Sequence, residues 1–327
     1  MAAAVAGNRR FQRYGTTVNT ERMLGYPVVR IKGGTAQQRQ LFTRELLAAL
    51  RAMSLSVWLA DPGFSAPSAV WKKALQHDLV IVDELPGYVV HTISVASDSG
   101  IPKGDDLFWT PDGEIEVIAG QLLSRLHRIA GREPLWACVL IGGRSSRMGR
   151  AKHLLTTENG QSWLENTVSR LKPFVDGLVI AGEGVIPERL RAIPHIPDLP
   201  KVGGPISGLL SAMRWQPQLS WLLVACDMPC ISSAAVEWLL SLRRAGVWGL
   251  VPKLAEGSHL EPLFAWYSPR SAQLFEAQMF SESLRIADIA ASNKIATPLV
   301  PDNLRESWKN INIPEQLLSI CSSRSEG

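Results

Sequence analysis

The stretch Ala137–Leu155 constrains this chain most: Ala-Cys-Val-Leu-Ile-Gly-Gly-Arg-Ser-Ser-Arg-Met-Gly-Arg-Ala-Lys-His-Leu-Leu. An apolar run from Ala137 to Ile141 reads as a buried strand and stops abruptly at Gly142-Gly143. Two hydroxyls (Ser145, Ser146), a third glycine (Gly149) and the cations Arg144, Arg147, Arg150 and Lys152 follow. Glycine lets the backbone approach a ligand closely. Successive inward N–H groups make an anion-binding nest, and fixed cations add the charge that a polyphosphate needs. A loop of this kind at the carboxyl end of a strand is where open α/β sheets bind nucleotides. It has neither the Walker spacing Gly-x4-Gly-Lys-Ser/Thr nor Gly-x-Gly-x-x-Gly.

The 327 residues exceed one ordinary domain, so two are expected. Gly131-Arg132-Glu133-Pro134 reads as the linker, dividing the chain into 1–134 and 135–327. Residues 1–25 are polar and aperiodic, a loose arm. In the first half, strands are expected at Pro27–Ile31, Leu55–Ala60, Leu79–Val82 and Tyr88–Val95. Helices are expected at Gln37–Ala52 (apolar at Leu41, Leu46, Leu47 and Leu50), at Ala66–Leu75 and at 112–129. The second half alternates in the same way, with helices expected over Trp163–Leu171, Pro187–Arg191, Ile206–Met213, Ser233–Leu242, Arg270–Phe280 and Ser283–Ala290. Such alternation predicts an α/β chain with a mostly parallel sheet covered on both faces.

Strand, glycine turn and helix also open the first half, at Gly33-Gly34, in the outline of a Walker-type nucleotide fold. The chemistry fails there. With Gly33 as the first glycine, Gln38, Arg39 and Gln40 stand where Gly, Lys and Ser/Thr belong, so the magnesium-holding hydroxyl is missing.

Three further segments carry polar chemistry. Asp227 follows directly on the apolar run Trp221–Ala225, at the same carboxyl edge as the glycine loop. There it could hold Mg²⁺, which takes few protein carboxylates and completes its sphere with phosphate and water oxygens. Asp198 precedes Gly203-Gly204-Pro205-Ile206-Ser207-Gly208, in which Pro205 also suits a first helical turn. Asn310-Ile311-Asn312-Ile313-Pro314-Glu315 stands near the C-terminus, where Asn312 and Glu315 also fit an N-cap and its capping-box partner.

The ordered series Gly-Gly, Arg-Met-Gly and Lys resembles the phosphate loop of the nucleotidyltransferases that activate phosphorylated acceptors, above all the molybdenum cofactor guanylyltransferases (the MobA family). Cys226-Asp227-Met228-Pro229, Asp198 with Gly204-Pro205, and the Asn310/Asn312 segment resemble that family's remaining motifs. The resemblance implies a Rossmann-like nucleotidyltransferase in 135–327 that transfers GMP from GTP to molybdopterin with Mg²⁺. It implies catalytic roles for Lys152, Arg147 and Asp227, the last also as metal ligand. It further implies nucleotide contacts at Leu140, Ile141, Gly142, Gly143, Lys152, Asp198 and Asp227, and acceptor contacts at Asn310 and Asn312. The first half resembles a degenerate P-loop-like copy of the MobB family, implying an adaptor role, with a molybdoenzyme client or a cofactor chaperone as partner. Ala151 and Ala181-Gly182-Glu183 depart from the guanylyltransferase pattern, the latter where many members carry a base-contacting Asn. Two alternatives stay open: transfer to another acceptor (a CTP-dependent pterin or a sugar phosphate), or cofactor binding and insertion without catalysis.

Composition narrows the rest. A net charge of +4 suits an enzyme of anionic small molecules and is too weak to argue for nucleic acid. The four cysteines form no Cys-x-x-Cys pair, and the six histidines show no zinc-enzyme spacing. No apolar run approaches the ~20 residues of a membrane span. The expected setting is a reducing cytoplasm.

Overall fold

The computed structural model describes residues 28–61, 72–82, 92–96, 107–110, 113–142, 151–157, 160–280 and 283–310. They form two compact units, one of residues 28–133 with Arg243–Trp248 and one of residues 134–242 with 249–310.

The first unit is a five-stranded, wholly parallel sheet of β1 (Val28–Lys32), β2 (Val57–Leu59), β3 (Leu79–Val82), β4 (Thr92–Ala96) and β5 (Leu107–Phe108), in the order β2-β3-β1-β4-β5. All four residues of β3 are buried, as a parallel strand covered on both faces requires. Helix α1 (Ala36–Ala52) starts at a Thr35–Gln38 capping box, and α2 covers Ile115–Arg132. The buried stripe of α1 is Phe42, Leu46 and Leu50, one residue out of phase with the expected Leu41, which is exposed. Phe42 takes the inner position because it stacks on Trp109 at 4.4 Å. Asp78 is buried and accepts from the Trp248 indole (2.8 Å) and the Ser56 amide (2.8 Å).

The second unit carries seven strands: β6 (Leu135–Leu140), β7 (Gly177–Ala181), β8 (His195–Ile196), β9 (Ser220–Ala225), β10 (Gly249–Leu250), β11 (Phe264–Tyr267) and β12 (Ile295–Ala296). Their order is β12-β10-β11-β9-β6-β7-β8, and only β11 runs antiparallel to its neighbours. The chain is thus an α/β protein with mostly parallel sheets. Helices α3 (Trp163–Leu171), α4 (Pro205–Trp215), α5 (Ser233–Ser241) and α6 (Ala272–Gln278) complete it.

The short helices differ from expectation. Glu188–Leu190 is a single 3-10 turn, with Pro187 as its N-cap and Arg191 closing it. Ser283–Ala290 reduces to a 3-10 segment, Ile286–Ala291. The expected Ala66–Leu75 helix lies outside the described residues up to position 71.

The connections place the site. The chain leaves β6 through α3 to β7 and β8 on one side, then returns through α4 to β9 on the other. The order reverses between β6 and β9, the switch point at which open α/β sheets present a crevice to ligands.

Candidate active site

Register sets four residues level along one edge. Leu140 pairs with both Ala181 and Ala225, and Ala181 pairs with Ile196. Two residues beyond each partner stand Asp227 (after β9), Gly142 (after β6), Glu183 (after β7) and Asp198 (after β8). With neighbouring strands about 4.8 Å apart, Asp227 and Asp198 begin about 14 Å from each other along the carboxyl edge. One end holds Asp227, the other the half-buried Asp198, and Gly142 stands between them.

At the first end the Lys152 Nζ donates to Asp227 Oδ2 at 3.2 Å. Lys152 opens a 3-10 turn, Lys152–Leu154, packed against α3, and α3 starts at a Ser162–Glu165 capping box. Both side chains are about a quarter exposed, so the pair contributes about 1 kcal/mol at most to stability. Its meaning is chemical: an anion entering here finds an ammonium, and a hard cation finds a carboxylate. Among the described residues no group of three or more His, Cys, Asp and Glu gathers to hold a metal. Asp227 thus fits a cation that draws most of its ligands from phosphate and water, not one caged by protein.

At the other end burial raises the Asp198 pKa, Glu183 adds to the rise, and a hydrogen bond from Ser207 opposes it. Ser207, in the first turn of α4, also accepts from the Leu199 amide at 2.6 Å, which ties the Asp198 segment to the helix. Gly208 lets α4 come close: a Cβ there would stand 2.6 Å from Leu140 Cδ2.

Between the ends, Ile141 and Gly142 pack against Gly182 and Glu183. Gly182 has φ +116°, and a Cβ on it would lie 2.0 Å from the Ile141 carbonyl oxygen, so only glycine fits. The Gly182 carbonyl accepts from His195 Nε2 (2.7 Å), and the Val185 carbonyl accepts from His153 Nε2 (3.0 Å). A carbonyl only accepts, so these contacts assign the Nε2–H tautomer to both rings.

His153 is buried, and that burial lowers its pKa; the Val185 hydrogen bond opposes the shift and His195 adds to it. Below the unfolded value of about 6.5 the unfolded chain therefore binds a proton at this site that the folded chain resists, and stability rises with pH there. Denaturant midpoints between about pH 5 and 7 should climb with pH, and His153→Gln should flatten part of the climb. An unchanged slope in the variant would remove His153 from this account.

The profile of the MobA-like NTP transferase domain matches residues 137–291. The probable molybdenum cofactor guanylyltransferase of Pelotomaculum thermopropionicum is 32% identical over 187 residues, which cover 55% of this chain and 88% of that protein. The chain belongs to the molybdenum cofactor guanylyltransferase family. The molybdenum cofactor biosynthesis bifunctional protein of Synechocystis is 31% identical over 193 residues, 56% of this chain, and the match spans 52% of that protein's length. The crystal structure of molybdopterin-guanine dinucleotide biosynthesis protein A from Archaeoglobus fulgidus has a TM-score of 0.46 and 26% identity, covering 57% of this chain and 99% of that one.

In this guanylyltransferase-family chain the structure brings Lys152, Asp227, Asp198, Leu140, Ile141 and Gly142 to one sheet edge. The side chains of Leu140 and Ile141 face Gly208 and Gly184, so what they offer a ligand is backbone. Gly143, Arg147 and Asn312 lie outside the described residues. Asn310 is exposed two residues beyond Trp308, whose indole donates to the Phe264 carbonyl at 3.0 Å and anchors the segment beside the start of β11. His153 and His195 were not marked by any sequence pattern; the Gly-x-Gly at 182–184 was the one local sign of a crowded loop.

The rival loop at Gly33-Gly34 has an inverted arrangement. Arg39 donates to the carbonyls of Gly33 (3.1 Å) and Gly34 (2.7 Å). The Trp109 indole donates to the Lys32 carbonyl (3.2 Å), and its ring would stand 3.3 Å from a Cβ on Gly34. A phosphate nest needs inward N–H groups; here an arginine gathers the carbonyls.

Proposed function

We propose that the second unit transfers GMP from GTP to molybdopterin, releasing pyrophosphate. The observation that carries this reading is the Lys152–Asp227 pair at the β6/β9 switch point, level with Asp198 along the same edge. An oxygen of the acceptor phosphate forms a bond to the α-phosphorus, and the bond from that phosphorus to the bridging α–β oxygen breaks. Catalysis is mostly positioning and charge neutralisation, because this transfer asks little covalent work of the protein.

Lys152 and Arg147 hold the triphosphate, with backbone N–H groups from Gly142 and Gly143 cradling it and the backbone of Leu140 and Ile141 flooring the site. Asp198 takes the ribose end, and Asn310 and Asn312 lie toward the acceptor. Asp227 would hold Mg²⁺, whose chemistry when bound is to offset charge on the phosphates. The first unit would act as an adaptor toward a molybdoenzyme client or cofactor chaperone; Arg39 and Trp109, bonded to the loop carbonyls, speak against nucleotide binding there. No helix among the described residues is long and apolar enough to cross a membrane, which suits a reaction in the cytoplasm.

The base is tested by measuring pyrophosphate release with GTP, CTP and UTP, each against molybdopterin and against a sugar phosphate. GTP with molybdopterin should exceed every other pair by at least about tenfold, the discrimination that one well-placed polar contact supplies. Equal turnover with CTP would overturn the guanine assignment.

A further inference from the structure

The Lys152 turn and the loop after β7 come from distant parts of the chain, yet one side chain joins them. His153 follows Lys152 directly, and only 2% of its surface is exposed. Its Nε2 donates to the Val185 carbonyl at 3.0 Å, while Val185 itself is 71% exposed, so this hydrogen bond is made to backbone. The ring also lies flush against Gly184: a Cβ there would stand 2.6 Å from His153 Cε1, 2.9 Å from Nε2 and 3.3 Å from Ile141 Cδ1. Three segments therefore meet at Gly184: the end of β6, the Lys152 turn and the loop after β7. At its other end that loop is held by His195 through the Gly182 carbonyl. Its tip, Glu183, comes within electrostatic reach of Asp198 and packs its carbonyl 3.2 Å from where a Cβ on Gly142 would stand.

We propose that His153 is a positioning residue: its imidazole locks the loop 182–185 to the turn that carries Lys152, and so sets how tightly the site holds GTP. This rests on the nucleotidyltransferase reading. A buried imidazole must find an acceptor; here the acceptor lies in the backbone of the loop after β7, and a glycine of that loop is pressed against the ring, so the hydrogen bond ties the loop to the Lys152 turn. Removing the ring leaves the Val185 carbonyl without its donor and opens space under Gly184, so the loop loses its fixed distance from Lys152. Binding should suffer more than chemistry, because Lys152 and Asp227 keep their own pairing.

The test compares His153→Leu, which removes the donor, with His153→Gln, which returns an N–H at similar reach. GTP dissociation constants come from calorimetry and KM and kcat from pyrophosphate release, with thermal midpoints in parallel. His153→Leu should raise both the dissociation constant and KM for GTP about tenfold with kcat within about threefold, and His153→Gln should recover most of the loss. Gly184→Ala, on the other element, should weaken GTP binding by pushing the ring and by straining a backbone at φ +158°, and the double variant should fall short of the summed effects by the part due to the ring. This variant carries the test if His153→Leu does not fold. A folded His153→Leu with wild-type GTP affinity, or a Gln variant no better than Leu at equal thermal midpoint, would overturn the proposal. Failure of the parent reading is separately visible: wild-type protein that binds GTP yet releases no pyrophosphate contradicts the reaction, while the ratio of dissociation constants still tests His153.

Discussion

Asp227→Asn should lower kcat for pyrophosphate release by about 10²–10³-fold while leaving the fold intact, the scale on which removal of one preorganised electrostatic group acts in a closed site. Asparagine keeps the shape but gives up the charge with which Asp227 would hold Mg²⁺. The stability cost is small, because the pair with Lys152 is partly exposed and is worth about 1 kcal/mol at most. The two effects separate cleanly when kcat and the thermal midpoint are measured on the same preparation. Raised Mg²⁺ should recover part of the lost rate. Activity within about threefold of wild type would remove Asp227 from the chemistry.

The companion expectation concerns Lys152. Lys152→Ala should depress kcat/KM for GTP by about 10²–10³-fold, divided between a raised KM and a lowered kcat, because in the proposed reaction the ammonium meets the triphosphate in the ground state and charge builds further during transfer. Lys152→Arg should recover little. The planar guanidinium is longer and bulkier than the ammonium, and Lys152 Nζ already stands 3.2 Å from Asp227 Oδ2, so the larger group cannot occupy the same place. Because Lys152 and Asp227 face one another, the double variant should be far less impaired than the product of the single losses. Fully multiplicative losses would mean that the two residues act at separate places.

The centre of the site was legible because its chemistry sits where apolar strands stop. Gly142 and Asp227 each follow an apolar run that reads as a strand, and the parallel register then places them level. The guanylyltransferase resemblance added roles to positions that spacing alone had marked as a phosphate-binding edge. Less was legible wherever tertiary contact decided. Leu41 and Phe42 are both apolar, and only the Trp109 ring selects Phe42 as the buried one. β8 has two residues, too few for any alternation, yet it is the strand that brings Asp198 to the edge. His153 carries no local mark at all, since its acceptor lies 32 residues downstream. At Gly33-Gly34 the missing Walker residues were visible in the sequence; that Arg39 ties back the loop carbonyls was not.

The proposed reaction joins a nucleotide to a pterin, where a carrier would only hold both. Full-length protein incubated with GTP, molybdopterin and Mg²⁺ tests it directly, by assaying pyrophosphate and weighing the pterin product by mass spectrometry. The predicted result is one pyrophosphate released for each pterin that gains a guanosine monophosphate, with neither product formed by Asp227→Asn at a comparable rate. Bound GTP and bound pterin with the pterin mass unchanged would contradict it, and would leave the chain a cofactor-binding protein.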